Sequence, residues 1–480
     1  VPLVGSGVTP ILFICSDELN RDYLGCSGNE VIQTPNLDAL ARRGTRFTAA
    51  YTPSPICGPA RTSLATGLHV HQHEMWDSAA PYDGSIPSWG HRLRDAGYKV
   101  ASVGKLHYRS SADDNGFDEE HLATHATDGV GWIRGLLRSE PAILTEACAT
   151  YARDVGPGES SYVDYDRTIT ERACRWIRDT ADADRPWALF VSFMAPHFPL
   201  IAPSDFYDRY SPAELAEAAG YDPSQCPDHP VIETIASVLN YGHSFDDEHL
   251  GRALAGYYGL CSFLDHNVGE LLGALEEVDP DGQTLVLFTS DHGDMLGEHG
   301  LWAKSYMYEG SVGVPMMLAG PGVPEGSVVD TPVSLVDCLP TFLQAAEIPN
   351  DTTDLAGDSL LEVISAGDSD RAVLSEYHDG ASPSGIFMLR TPRWKYVHYV
   401  GHAPQLFDLR TDPREHVDLA SSLNHANVRH RLEQRLRAIV DVDAANQRAF
   451  EDQRRRIDEF GGVDAVRNWS DFGYTPTPVD

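Results

Sequence analysis

The sequence predicts an α/β protein: a large, mainly parallel sheet sandwiched between helices, with a smaller C-terminal subdomain of antiparallel strands plus helix. Three observations predict it. Short apolar runs alternate with amphipathic segments over the first three-quarters of the 480 residues. Those runs are continuously apolar, which marks strands buried on both faces, as in parallel sheets covered by helices. After about residue 370 the alternation gives way to closely spaced strand-like runs and an Arg-rich helical stretch. The expected boundaries are 1–370, 371–460 and a tail at 461–480.

In chain order, Ile11–Ser16 is the first buried strand. Thr34-Pro35-Asn36 to Gly44 opens on a cap and a proline and closes on glycine, as helices do. Ser88–Ala96 is a short capped helix ended by Gly97, and Tyr98–Val103 is the next strand. Ile169, Ala173, Trp176 and Ile177 give Tyr165–Thr180 helical spacing. Trp187–Phe193 is a buried strand, and His249–Val278 is a long helix with Leu254, Tyr257, Cys261, Leu264 and Val268 near one face. Strands follow at Gln283–Ser290 and Val314–Ala319, while 124–160 and 204–247 read as loops. Ala372–Tyr377, Ile386–Thr391 and Trp394–Val400 are short antiparallel strands, and Asn424–Phe460 is helical. The aromatic-bearing tail, Val463–Asp480, packs on something or is disordered, or instead crosses to a neighbouring subunit.

Charge narrows the function. Lys and Arg number 36 against 71 Asp and Glu, a formal net charge of −35. Such a field repels nucleic acid and anionic membranes, and excludes both as partners. An anionic substrate would need a local cluster of cations to overcome it. No run of about 18 apolar residues occurs, so no membrane-spanning helix is expected. Eight cysteines are scattered without a Cys-x-x-Cys pair, which suits buried thiols in a reducing cytoplasm better than a disulfide framework. Val1–Ile14 lacks the basic start of a secretory signal and runs straight into a strand. The expected location is therefore a bacterial cytoplasm.

Polar residues follow four of the expected strands. Asp17 and Glu18 follow the first, Lys105 and His107 follow Tyr98–Val103, His197 follows Trp187–Phe193, and Asp291 and His292 follow Gln283–Ser290. Ligands of open α/β sheets bind outside the carboxyl ends of strands, so parallel neighbours would bring all four clusters to one edge. Three carboxylates and an imidazole suit a hard divalent cation such as Ca²⁺, Mg²⁺ or Mn²⁺, although each residue alone is more often a cap or loop residue. Cys57 lies just before the N-terminus of a helix that Pro59 opens and Gly67 closes, where negative charge is favoured. A lone cysteine there is usually structural or a weakly activated thiol.

Cys57-Gly58-Pro59-Ala60-Arg61 resembles the Cys-x-Pro-x-Arg signature of type I sulfatases. The likeness extends to Thr34-Pro35-Asn36-Leu37-Asp38, Gly104-Lys105-Leu106-His107, Pro196-His197-Phe198-Pro199 and Ser290-Asp291-His292-Gly293-Asp294 through Lys304. In order and spacing the chain is similar, from residue 11 to about 400, to the sulfatase branch of the alkaline-phosphatase superfamily. The resemblance implies an alkaline-phosphatase-like fold and a formylglycine made from Cys57 by a formylglycine-generating enzyme. It implies one divalent metal ion (Ca, Mn or Mg) held by Asp17, Glu18, Asp291, His292 and residue 57. It implies that Arg61 orients the hydrated aldehyde, that Lys105 and Lys304 neutralise sulfate oxygens, and that His107 and His197 handle protons. Trp76, Asp77 and Ser78 are implied to contact the substrate, although Ser78 stands where many relatives have Asn. The implied reaction is hydrolysis of a small-molecule sulfate ester through a covalent sulfo-enzyme, by a homo-oligomer. Two alternatives stand beside it: a formylglycine-dependent phosphonate monoester or phosphodiester hydrolase, and an anion-binding protein without catalysis. Lys105 and His107 favour sulfate over phosphonate.

Overall fold

The computed structural model describes residues 9–138, 151–180, 185–219, 221–239, 245, 247–349, 355–367, 370–469 and 475–478. Among them, eight strands form one sheet. They are β1 (Ile11–Asp17), β2 (Thr45–Phe47), β3 (Lys99–Lys105), β4 (Glu119–Thr124), β5 (Trp187–Pro196), β6 (Leu285–Ser290), β7 (Met316–Ala319) and β8 (Ser327–Val329). Their spatial order is β8-β2-β7-β6-β1-β5-β3-β4. The inner strands β6, β1, β5 and β3 run parallel, with Ile14 opposite Val191 on one side and Phe288 on the other. β7 runs antiparallel to β6 and to β2, so the sheet is mainly parallel but mixed.

The helices that position the site are α1 (Pro35–Arg43), α2 (Cys57–Thr66), α3 (Trp89–Asp95), α4 (Ser161–Thr180), α5 (Pro212–Ala219), α6 (Pro230–Val238), α7 (Asp247–Val278) and α8 (Cys338–Ala345). Side chains alternate across a strand, and β1 shows what that does. Leu12 and Ile14 enter a core with α1, α4 and α7, while Ile11, Phe13 and Cys15 enter a second core with α2, α3 and α8. Wholly apolar strands are thus buried twice, as their sequences require.

A separate antiparallel sheet follows: β9 (Val373–Tyr377), β10 (Ile386–Arg390), β11 (Trp394–Tyr399) and β12 (Gln405–Asp408). One face carries α9 (Ala426–Ile439) and α10 (Val442–Glu459), through Leu432, Leu436, Val442 and Ala449. The other face packs Tyr377, Met388 and Tyr399 against Tyr51, Met295 and Tyr306 of the larger unit.

Several boundaries differ from the sequence reading. Cys57 is the first residue of α2 and not the one before it, because extended Ile56 serves as the cap. The expected helix 424–460 is two helices, since Asp441 caps a new start by accepting the N–H of Ala444. β12 was unforeseen, being four residues long and too short to show a period. The stretch 204–247 holds α5 and α6 and is not simply loop. α11 (Val463–Arg467) folds the start of the tail back on its own chain, where Val466 packs with Ile133, Leu136 and Leu137. The seven described cysteines are free, and Cys148 lies outside the described residues. Among the described residues no helix is long and apolar enough to cross a membrane.

Candidate active site

The four adjacent strands β6, β1, β5 and β3 end at one edge of the sheet. That edge brings together Asp291 and His292, Asp17 and Glu18, His197, and Lys105 and His107, as the sequence reading expected. α2 meets the same edge with its N-terminus, so Cys57 enters the cluster from the side and is buried. A side chain at Gly58 would stand 3.3 Å from Ser78 Cα, so glycine lets the start of α2 lie close against residue 78.

Cys57 Sγ lies 3.1 Å from His292 Nε2 and 3.8 Å from Asp17 Oδ1. His292 Nδ1 is 3.0 Å from the Gly293 carbonyl, which must accept its proton, and this contact turns Nε2 toward the cluster. Ligand atoms of Asp17, Cys57, Asp291 and His292 all lie within 4.8 Å of one another, and those of Asp17, Glu18 and His197 form a second such group. One oxygen of Glu18, Oε1, is buried without a hydrogen-bond partner. Clustered carboxylates, an imidazole nitrogen turned toward them and an orphaned carboxylate oxygen fit a divalent cation.

Fixed cations surround this set. Arg61 donates through Nε to Asp291 Oδ2 at 2.8 Å, through Nη1 to the Lys105 carbonyl and Ser192 Oγ at 2.9 Å each, and through Nη2 toward Asp17 Oδ2 at 3.5 Å. Its guanidinium therefore braces the two carboxylates. Lys105 pairs with Asp17 Oδ2. Lys304 Nζ reaches Glu18 Oε2 at 3.0 Å, His197 Nε2 at 2.9 Å and Cys57 Sγ at 3.7 Å. His197 Nδ1 faces the Phe198 carbonyl at 2.7 Å. His197 is thus neutral, carries its proton on Nδ1 and accepts from the Lys304 ammonium. His107 stands within electrostatic reach of the Cys57 sulfur, and its Nδ1 is buried without a hydrogen-bond partner.

These neighbours set the protonation states. Burial raises the Cys57 thiol, but Lys304, Lys105 and His292 more than offset it and hold the thiol well below its usual range. Burial and Cys57 oppose ionisation of Asp17, yet the cations Lys105 and Arg61 help keep it below the usual carboxylate range. Burial pushes Glu18 up to about 8 and, with Lys304, pushes His197 down to about 4. Against burial, Asp291 and Cys57 raise His292 to about 9.

Trp76, Asp77 and Ser78 are held by the C-terminal elements. Trp76 Nε1 donates to Asp452 at 3.0 Å, and Asp77 accepts from Gln453 at 2.7 Å and pairs with Arg456 at 3.3 Å. The hydroxyl and N–H of Ser78 both donate to Asp379, at 2.6 and 2.7 Å. The supporting roles of three residues escaped the sequence reading. The Tyr257 hydroxyl, on α7, donates to the Glu18 carbonyl and accepts from the N–H of Asn20, which fixes the turn that carries Glu18 at φ 67°. Asp294 accepts the N–H groups of Leu296 and Ala303 and so shapes the loop from His292 to Lys304. Asp166 is the third; its position on the apolar stripe of α4 was the available signal.

Residues 10–348 match the sulfatase family model. The chain belongs to the sulfatase family. A second model, the C-terminal region of N-sulphoglucosamine sulphohydrolase, matches residues 297–441. Choline-sulfatase of Rhizobium meliloti (strain 1021) is 35% identical over 435 residues, which cover 87% of this chain and 83% of that one. Arylsulfatase K of Danio rerio is 33% identical over 495 residues, covering 96% and 90%. Among solved structures, a phosphonate monoester hydrolase of Agrobacterium radiobacter superposes with a TM-score of 0.71 at 24% identity, covering 90% of this chain and 95% of that one. A protein solved in complex with D-glucosamine-2-N,6-O-disulfate gives 0.67 at 22%, covering 93% and 98%. These two share the alkaline-phosphatase-like fold. This sulfatase is a sulfuric ester hydrolase.

Proposed function

We propose that the protein hydrolyses a small-molecule sulfate monoester, with Cys57 oxidised to formylglycine as nucleophile beside one divalent cation. The observation that carries this reading is the convergence of Cys57 with Asp17, Asp291 and His292 inside 4.8 Å, with Lys304 Nζ 3.7 Å from the sulfur. Asp17, Glu18, Asp291, His292 and residue 57 would hold the cation. Bound there, the cation supplies charge stabilisation, and hydrated formylglycine supplies two hydroxyls on one carbon, one for attack on sulfur and one for release of sulfate.

The chain's own residues supply the rest. Arg61 and Lys105 hold Asp291 and Asp17 in place through ion pairs. Lys105, Lys304 and the N-terminus of α2 offset the sulfate charge locally, which a chain of net charge −35 requires. The Lys304–His197 pair places a proton source at the reacting centre for the departing alcohol. His107, whose imidazole burial holds below its usual value, accepts the proton of the second hydroxyl. Sulfate is favoured over phosphonate by the Lys105–His107 pair and by relatives above 30% identity that are sulfatases, whereas the phosphonate hydrolase shares the fold at 24%.

Release of inorganic sulfate from aryl, alkyl and choline sulfates, beside phosphonate monoesters and phosphodiesters, tests the reading on protein whose Cys57 is converted. A sulfate ester is expected to show the highest kcat/KM; a clear preference for a phosphonate or phosphodiester would contradict it. Cys57→Ser keeps an attacking hydroxyl but lacks the second one. It is expected to lose turnover on the order of several hundredfold or more, or to trap a covalent adduct. Unchanged steady-state rates in that variant would contradict the mechanism.

A further inference from the structure

β5 leaves its ladder just before the site. Against β1, Cys15 pairs with Ser192 and Asp17 with Pro196, so the chain of β5 carries surplus residues between the two pairs. On the other side its pairing with β3 ends at Ser192. The surplus bulges out, and a bulge leaves backbone N–H groups without strand partners. One side chain takes both. Asp166 Oδ1 accepts the N–H of Met194, and Oδ2 that of Ala195, each at 2.8 Å.

Asp166 is fully buried on α4, where an apolar residue would suit the stripe shared with Ile169, Ala173 and Ile177. Among the described residues no Lys or Arg forms an ion pair with it. A lone buried carboxylate is costly, and packing of α4 alone gives no reason for one. The bulge does. Immediately downstream, the His197 N–H donates to the Met194 carbonyl at 2.9 Å, closing the turn that sets the imidazole 2.9 Å from Lys304 Nζ.

We propose that Asp166 is a positioning residue for the reaction. By holding the N–H groups of Met194 and Ala195, it fixes where the His197 ring stands against Lys304 and residue 57. The proposal rests on the reading of His197 as part of the proton source for the leaving alcohol. Asp166→Asn keeps the shape of the side chain but turns an amide donor toward one of the two N–H groups.

The test compares native protein, Asp166→Asn, His197→Ala and the double variant, each with equal Cys57 conversion by mass. Substrates are an alkyl sulfate and an aryl sulfate whose phenol leaves without a proton. Asp166→Asn is expected to lower kcat on the alkyl ester about 10–100-fold with KM little changed, and to affect the aryl ester far less. The double variant should be no slower than His197→Ala. Equal losses on both esters, or losses that multiply in the double variant, would overturn the proposal. His197→Ala with native rates on both esters would sink the reading of His197 and the proposal with it. Selective loss in His197→Ala beside uniform loss in Asp166→Asn would sink the proposal alone. Should Asp166→Asn not fold, Asp166→Glu moves both acceptors by one methylene and must show the same dependence on leaving group; native behaviour there contradicts it.

Discussion

His73 shows how a single buried side chain ties the helix of Cys57 to pH. Its Nδ1 accepts the N–H of Met75 at 3.0 Å, so its proton sits on Nε2, 3.0 Å from Ser63 Oγ on α2. Burial pushes it down from the usual 6.5 to about 3. The unfolded chain therefore takes up a proton below pH 6.5 while the folded chain does not. The stability this represents is complete above 6.5 and is lost as pH falls toward 3. One such proton is worth about 1.4 kcal/mol per pH unit. His73→Gln should make stability shallower in pH by about that slope between roughly pH 6 and 5, read by denaturant titration; parallel slopes would contradict the assignment. At this scale the sequence was most legible where a residue belongs to a dense motif, as Cys57, Arg61, Asp291 and His292 do. Asp166 was not, because a single acid on an amphipathic helix carries no label until its partners, 28 and 29 positions away, are seen.

Elements were legible where burial writes a strong pattern. β1, β5 and β6 are continuous apolar runs and appear where expected, β5 three residues longer because the bulge carries it on to Pro196. β7 was foreseen as a strand, but its antiparallel direction was not, since an apolar run has no polarity that records which way its neighbour points. α11 is a further case. Its few apolar residues gave no choice between packing at home and crossing to another subunit, and the structure sets Val466 in a cluster with Leu136 and Trp469 against Phe460 at 5.6 Å. Deleting 463–480 is therefore expected to cost about 2–4 kcal/mol of stability and to leave the oligomeric mass unchanged. Dissociation of an assembly without loss of stability, by light scattering and denaturation, would contradict this.

Across the whole molecule, the two sheets are joined by buried charge as well as by apolar contact. Lys395 on β11, fully buried, pairs at 2.7 Å with both Glu309 and Glu415, and Glu309 also pairs with Arg21 next to the site loop. Removing one member of such a set leaves buried charge uncompensated, which typically costs about 3–5 kcal/mol. Lys395→Met should show a loss of that size in chemical denaturation, and a change below about 1 kcal/mol would contradict the account. No sequence period could announce this network, whose members lie far apart in the chain. The measurement that tests the central claim most directly is the intact mass of the active protein, with the peptide bearing residue 57 mapped by fragmentation. Conversion of the thiol to the aldehyde predicts a species lighter by about 18 Da, localised to residue 57 and rising in step with activity. Full activity in protein whose Cys57 is entirely an unmodified thiol would contradict the claim.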